Sequence, residues 1–361
     1  MEFALSEEQR MLQDSVCRYL ENKCTLDVVR QAAADTVTQQ SDVWQGISEL
    51  GILGIIIPEE LGGVGLGFLD AALVAEALGR AVAPVPYIGS SIMAPVALLS
   101  AGDERQKETW LPKIAAGETV FGVGVTEQIG RRETDGITCS DGKLNGKAMF
   151  VMDGNDADML IIADDTGTLH IVDANASGVT RQNLKTIDKT RGVAEIVFDG
   201  AEAEPLPGSE NDKEPLLKTI DTGRLMLAAD SMGASDVMIE KAVAYAKERK
   251  QFNRVIGSFQ AVKHMCAEMA SELEPCRSLI WYAAHAVNEM PDEARLLACH
   301  AKAHLSEVGR FVAKTSTEVH GGMGFTDLLG LHYWFKRIGL DRQLLGAPEL
   351  VREEAAQVQG W

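Results

Sequence analysis

The chain has 361 residues, of which 46% are hydrophobic, so it is long enough to bury a substantial core and predicts two or three subdomains. Its formal net charge of −19 opposes a general affinity for nucleic acid or for an anionic membrane surface, because both would repel the protein at long range. No apolar run approaches the roughly 18 residues that a membrane-spanning helix needs. The acidic start MEFALSEEQRM differs from a targeting leader, and the six cysteines form no CxxC pair, so we expect a cytoplasmic protein with reduced thiols.

The first third of the chain shows helical periodicity. Ser6 precedes an apolar helical pattern and Gln9 follows three residues later, which is the spacing of a capping box. Further helical patterns cover residues 44–53 and 68–82. The string PEELGGVGLG at 58–67 lies between them without a preceding strand, so we interpret it as a loop and not as a dinucleotide-binding motif. These features predict a helical N-terminal domain over residues 1–118.

After residue 118 the sequence pattern changes to short runs rich in β-branched residues, separated by Gly, Asp and Asn. Examples are FGVGV, GKLNGKAMFVM, MLIIAD, TLHIVD and AEIVFDG, which predict a β domain over residues 119–214. Helical periodicity returns and dominates residues 215–361, although the Ala/Glu-rich stretch 353–357 is expected to fray. The predicted order of elements is helices, then strands, then helices. This order differs from an alternating βαβ pattern and favours an α+β fold class.

The segment ERKQFNRVIGSFQAVKHMCAEM, residues 248–269, has two parts. Its apolar residues recur every three or four positions, which is typical of a helix face buried in the core or against another helix. Its basic head is harder to explain by packing. Arg249 beside Phe252 offers a charged fork and an aromatic ring, which suit a phosphate and a flat heterocycle, with a solvated charged turn as the alternative.

That segment closely resembles the signature of the acyl-CoA dehydrogenase family. The string VHGGMGFTDLLGLHYWFKR at 319–337 resembles the glycine turn and following helix of the same family, and PEELGGVGLG and GVTE are further matches in the same order. The resemblance spans nearly the whole chain. It implies an N-terminal helical domain, a middle β-barrel or β-sandwich domain and a C-terminal four-helix bundle.

The resemblance also implies an FAD cofactor held between two chains, and therefore a homodimer, a homotetramer or a hetero-tetramer with a second acyl-CoA dehydrogenase subunit. Thr126 and Phe150 match positions at the flavin ring. The positions that match contacts to the FAD tail are Arg249, Phe252, Gln260, Gly321 and Gly322, of which the two glycines act from a partner chain.

The family's reaction implies an acyl-CoA substrate, which loses its α proton to a carboxylate while the β hydrogen leaves as hydride, giving a 2-enoyl-CoA. Electrons then pass to an electron-transfer flavoprotein. Asp221 and Arg224, in the string TIDTGRLML, match a motif beside the bound acyl-CoA. Taken alone, they are also compatible with an ordinary helix-terminal acid and a surface arginine.

The sequence departs from the family where the catalytic base is expected. The usual glutamate position falls on Gly346, and the position used by other members falls on Gly223; neither residue can accept a proton. Asp230 lies seven residues after Gly223, about two helical turns, and so projects from nearly the same face. Its apolar neighbours in LMLAADSMGA suit a carboxylate base, so Asp230 is the candidate base, with a hydrogen-bonded structural aspartate as the alternative.

Other expected flavin contacts have also changed. A hydroxyl donor near the flavin is replaced by Met152, a glutamine before the glycine turn by Glu318, and a regular turn by the string EQIGRRETD, which adds Arg131 and Arg132.

These changes resemble those of the smaller partner subunit in two-component acyl-CoA dehydrogenases, such as the pimeloyl-CoA and steroid side-chain enzymes. The leading prediction is an FAD-dependent acyl-CoA dehydrogenase, acting either alone or as one subunit of a hetero-oligomer. The alternatives are a non-catalytic structural partner subunit, or a flavin oxidase or monooxygenase on the same scaffold.

Overall fold

The computed structural model describes residues 4–130 and 136–361. Its N-terminal part is helical. A π-helical turn, Tyr87–Met93, leads directly into α5. The helices are α1 (Glu7–Lys23), α2 (Leu26–Asp35), α3 (Ser41–Glu49), α4 (Phe68–Ala81), α5 (Ala94–Ala101) and α6 (Glu104–Ala115). The capping box predicted at the start of α1 is confirmed, because Ser6 and Gln9 exchange two hydrogen bonds of 3.1 Å.

The middle part forms one eight-stranded sheet in the order β6-β7-β3-β1-β4-β5-β8, with β2 also paired to β3. β1 and β4 run parallel and the other neighbours run antiparallel. The strands are β1 (Phe121–Gly124), β2 (Ile137–Ser140), β3 (Lys143–Met152), β4 (Met159–Ala163), β5 (Leu169–Asp173), β6 (Val179–Asn183), β7 (Val193–Glu202) and β8 (Glu204–Pro205).

The C-terminal part is a helical bundle that also contains a small hairpin. Its elements are α7 (Glu214–Glu248), β9 (Lys250–Gln251), β10 (Arg254–Val255), α8 (Gln260–Glu289), α9 (Pro291–His320), α10 (Leu331–Gln343) and α11 (Pro348–Val358). The middle of α7 is buried on all sides, because α4, α8, α9 and α10 pack around it. The predicted order of helices, strands and helices is confirmed.

Among the described residues, no helix is long and apolar enough to cross a membrane. All six cysteines are unpaired thiols. The sequence-based domain limits at 118 and 214 stay a prediction; α6 ends at Ala115, β8 ends at Pro205 and α7 begins at Glu214.

Candidate functional site

The hairpin after α7 presents an aromatic ring to solvent. Its turn consists of Phe252 and Asn253, whose φ angles are +52° and +62°. Two consecutive left-handed residues are typical of a type I′ turn, which matches the twist of the flanking strands. A bulky residue seldom adopts a left-handed backbone conformation. Phe252 adopts it here, and its side chain is 87% exposed. The hairpin therefore holds the ring outward, where a ligand or a partner chain can cover it.

Two other predicted cofactor residues flank the hairpin. Arg249 is exposed at the end of α7, and its carbonyl accepts a hydrogen bond of 2.7 Å from the backbone N–H of Ile256, which closes the base of the hairpin. Gln260 is exposed as the first residue of α8. The structure thus brings Arg249, Phe252 and Gln260 to one exposed end of the bundle.

The predicted glycine turn lies at the same end. α9 ends at His320, whose ring centroid is 4.7 Å from that of Tyr245 in the last turn of α7. Gly321 follows with φ +57° and ψ −139°, a conformation that favours glycine. A Cβ atom on Gly321 or Gly322 would meet no described atom within 4 Å. Packing within the described chain therefore does not require these glycines, and their backbone is open to close approach.

The two residues predicted at the flavin ring lie beside β1 and on β3, two neighbouring strands inside the sheet. Thr126 begins a short 3₁₀ turn after β1, and the Glu127 carboxylate next to it accepts a 3.1 Å hydrogen bond from the backbone N–H of Met149. Phe150 follows on β3, at a register shift against β7, with φ +53° and 38% exposure. Thr126 and Phe150 are therefore close together. Met152 is buried.

The two glycines at the positions predicted for a catalytic base, Gly223 and Gly346, meet at one place beside α7. A Cβ atom on Gly223 would lie 2.5 Å from Leu345 Cδ1 and 2.7 Å from Met93 Sδ. Gly346 follows Leu345, has φ +106°, and a Cβ atom there would lie 3.3 Å from Nη2 of Arg224. The protein's own apolar side chains therefore occupy the volume into which a base at Gly223 would project.

Arg224 is not open to a ligand in this structure. It is fully buried, and its guanidinium donates to Glu354 at 2.7 and 2.8 Å and to the carbonyl of Leu345 at 2.9 Å. Asp221 instead accepts a 3.0 Å hydrogen bond from Arg295, and burial raises the pKa of Asp221 to about 6. The predicted substrate pair stays in contact, with Arg224 Nη1 3.5 Å from Asp221. Arg224 also joins α7 to α11, and Asp221 borders a cavity.

Asp230 differs from the expectation on which its role as base rested. It projects from the expected side of α7 and is 2% exposed, but its partners are charged. Its Oδ2 accepts hydrogen bonds from Arg191 at 2.9 Å and from Arg337 at 3.2 Å. Two guanidinium groups compensate this carboxylate, which corrects the expected apolar surrounding and favours the alternative of a structural aspartate.

These residues belong to a buried cluster that joins the sheet to the helices. Arg337 on α10 also donates at 2.6 Å to Asp188, which lies in the loop before β7. Asp341 lies 3.2 Å from Arg191. Burial raises the pKa of Asp341 well above its ordinary value, although Arg191 beside it opposes that shift.

Sequence reasoning missed Glu354, Leu345 and Met93. The stretch 353–357 lies within α11 and does not fray, because Glu354 forms ion pairs with Arg224 and with Arg295. No local pattern points to a partner 130 residues away. The predicted contribution of Arg131 and Arg132 lies outside the described residues.

Comparisons with known proteins agree with this architecture. The family described as "Acyl-CoA dehydrogenase, N-terminal domain" matches residues 6–118, and "Acyl-CoA dehydrogenase, C-terminal domain" matches residues 215–359. The acyl-CoA dehydrogenase IpdE2 of Mycolicibacterium smegmatis is 30% identical over 356 residues, covering 98% of this chain and 100% of that protein. The crystal structure of the ChsE4-ChsE5 complex from Mycobacterium tuberculosis contains a chain with a TM-score of 0.92 and 26% identity, covering 100% of this chain and 99% of that one.

The fold and these matches define a class of flavoprotein oxidoreductases. This chain belongs to the acyl-CoA dehydrogenase family.

Proposed function

We propose that this chain is an FAD-binding subunit of a hetero-oligomeric acyl-CoA dehydrogenase whose catalytic base comes from a second, unlike chain. One observation carries the proposal. Both family positions for the base are glycine, and Leu345 and Met93 occupy the space beside Gly223, while the residues predicted to hold the FAD tail remain exposed. The similar chain from Mycobacterium tuberculosis is part of a complex between ChsE4 and ChsE5, which supports a two-component organisation here.

The exposed end of the bundle fits the tail of FAD chemically. Arg249 would supply paired N–H donors to the pyrophosphate, and Phe252 an aromatic face to a flat ring. Gly321 and Gly322 would let the backbone of one chain approach the tail held by the other, as their open surroundings permit. When bound, FAD supplies a hydride acceptor for α,β-dehydrogenation of an acyl-CoA.

The remaining roles in this proposal follow from that assignment. Thr126 and Phe150 would position the flavin edge against the sheet. Electrons would leave through an electron-transfer flavoprotein. Asp230 as the proton acceptor stays a prediction, and its two ion pairs support a positioning role instead.

The test begins with the purified chain alone and after co-expression with candidate partner subunits of the same family. Flavin per chain and the mass of the complex are measured. We expect FAD to be retained at full occupancy in the mixed complex, and to be lost when Arg249 is changed to Ala. Arg18→Ala is the matched control, because Arg18 is a 77% exposed arginine on α1.

The role of Asp230 is tested in the same complex under anaerobic conditions. If the base belongs to the partner, Asp230→Asn still allows acyl-CoA to bleach the flavin. A homo-oligomer of this chain that binds FAD and is bleached by acyl-CoA, with bleaching abolished by Asp230→Asn, would overturn the proposal.

A further inference from the structure

A cavity of about 300 Å³ opens near the start of α7, and of the residues predicted above for cofactor, base or substrate, Asp221 lines it. It is bordered by α4, α5, α7, the end of α8 and the start of α9. Its volume is within the range of small-molecule sites. Its wall is largely apolar, formed by Phe68, Val96, Leu99, Leu217, Val287 and Ala294.

The cavity is separate from the expected position of the base. Glu214, Leu217, Lys218 and Asp221 line it, so it lies against one side of α7. Gly223 is nine residues after Glu214, about two and a half turns, and therefore projects from the opposite side of the helix. Within the described chain, no residue of the predicted flavin or base positions lines the cavity.

Two cationic side chains line the cavity, Arg295 and Lys218; each is ion-paired with a carboxylate and retains N–H groups for a further acceptor. Among the described residues, Arg295 uses Nη1 for Asp221 at 3.0 Å and Nη2 for Glu354 at 3.2 Å, which leaves further N–H groups of its five. Lys218 Nζ lies 3.7 Å from Glu214, beyond hydrogen-bond distance, with 52% of its side chain exposed.

The hydroxyl groups of the cavity are already committed as donors. Ser100 donates to the carbonyl of Val96 at 2.6 Å, and Thr222 donates to that of Lys218 at 2.8 Å. A complementary ligand therefore has an apolar body and a head that accepts hydrogen bonds. Glu214 and Asp221 both line the cavity, and their carboxylates oppose such a head.

We propose that this cavity binds an aliphatic carboxylate, with its chain against the apolar wall and its head at Arg295 and Lys218. Arg295 is fixed in place by two carboxylates, so its guanidinium is preorganised for a third acceptor. The site goes beyond the proposed dehydrogenase function and would take a free acid of medium chain length. Its occupant would contact both α5 and α7.

Three eight-carbon probes with different heads test the ligand class on the full chain by calorimetry. Octanoate is expected to bind at least ten-fold more tightly than octylamine, and more tightly than octan-1-ol. Octylamine binding as tightly as octanoate, or no heat from octanoate at millimolar concentration, would overturn the proposal.

Charge-removing substitutions at the rim of the cavity test where the carboxylate head of octanoate binds. Lys218→Gln is expected to weaken octanoate binding roughly three- to five-fold, and Glu214→Gln to strengthen it by a similar factor, as expected for solvent-exposed charges. Lys314→Gln is the matched control, because Lys314 lies 3.8 Å from Glu318 in the same four-residue spacing on α9. Equal effects of Lys218→Gln and Lys314→Gln would count against the assigned head position.

Substitutions that fill the cavity test where the aliphatic chain of octanoate lies. Ala294→Phe is expected to abolish octanoate binding while flavin content and melting temperature stay unchanged. Leu217→Trp provides a second filling variant if Ala294→Phe lowers the folded fraction. Unchanged binding in a folded filling variant would overturn the site.

A competition experiment distinguishes a free acid from the acyl group of a substrate. Octanoyl-CoA is expected to leave octanoate bound, and displacement would assign the cavity to the substrate instead. These titrations need neither flavin nor a partner subunit. If the proposed dehydrogenase function is wrong, the octanoate titrations therefore still test the cavity.

Discussion

The C-terminal end of α7 and its middle lie in opposite environments. At the end, Arg249 and Phe252 are exposed, and the aromatic ring is held outward by a left-handed turn. In the middle, Arg224 and Asp230 are buried and already paired with groups of this same chain. The motif-derived residues at the end of α7 are thus open to a ligand or a partner chain. In the middle, the same kinds of side chain connect elements of the fold.

The largest expected effect comes from breaking the buried cluster. Arg337→Met removes the guanidinium that pairs with Asp188 and Asp230, which takes the ion-pair partner from Asp188 and leaves Asp230 with Arg191 alone. Breaking a buried pair in this way costs about 3–5 kcal/mol. We expect that loss in urea unfolding, against a change within about 0.5 kcal/mol for Arg18→Ala at the surface. Equal stability of the two variants would mean that the cluster does not join the layers.

A pH effect on stability is expected from Asp153, which lies beside the π-helical turn. Burial raises the pKa of Asp153 to about 6, although Gly89 N–H donates to its carboxylate at 2.6 Å. The folded state therefore binds more protons than the unfolded state between about pH 4 and 6, and stability falls as pH rises through that window.

The expected loss from Asp153 is roughly 3 kcal/mol, from a shift of about two pKa units. Asp153→Asn keeps an acceptor for Gly89 and removes the titration. Its unfolding free energy, measured at pH 4.5 and 7, should therefore vary less with pH than that of the wild type. An unchanged pH dependence would assign the effect to another carboxyl.

Introducing a carboxylate at Gly223 tests whether the volume beside this residue is filled. Gly223→Glu forces side-chain atoms against Leu345 and Met93, and overpacking of this kind costs about 1–3 kcal/mol. The double variant Gly223→Glu/Leu345→Ala should be less destabilised than the sum of the two single changes. Additive losses in a double-mutant cycle would contradict contact between these positions.

The smallest expected stability effect is at the exposed end of α7. Phe252→Gly removes a bulky side chain from a left-handed position, so the isolated chain should be no less stable. FAD content of the mixed complex should nevertheless fall. Loss of stability in the isolated chain, measured by thermal unfolding, would show that Phe252 packs within its own subunit.

The sequence predicted well those features that depend on local pattern. The capping box of α1 and the change from helices to strands and back follow from neighbouring residues. The setting of Asp230 could not be predicted in this way. Its face on α7 followed from helical periodicity, but Arg191 comes from the loop before β7 and Arg337 from α10, 39 and 107 residues away. The same limit explains why Glu354 was missed.

The pairing of Glu354 with Arg224 has a consequence for biosynthesis. Arg224 emerges from the ribosome long before Glu354, its bidentate partner. Until Glu354 has emerged, Arg224 can pair with the carboxylate of Asp221, which it contacts more weakly at 3.5 Å. Because an uncompensated guanidinium is costly to bury, the bundle is expected to close only when α11 has been translated. A premature stop codon shortly before position 354 would therefore release a chain whose longest helix cannot settle, and quality-control proteases would be expected to remove it.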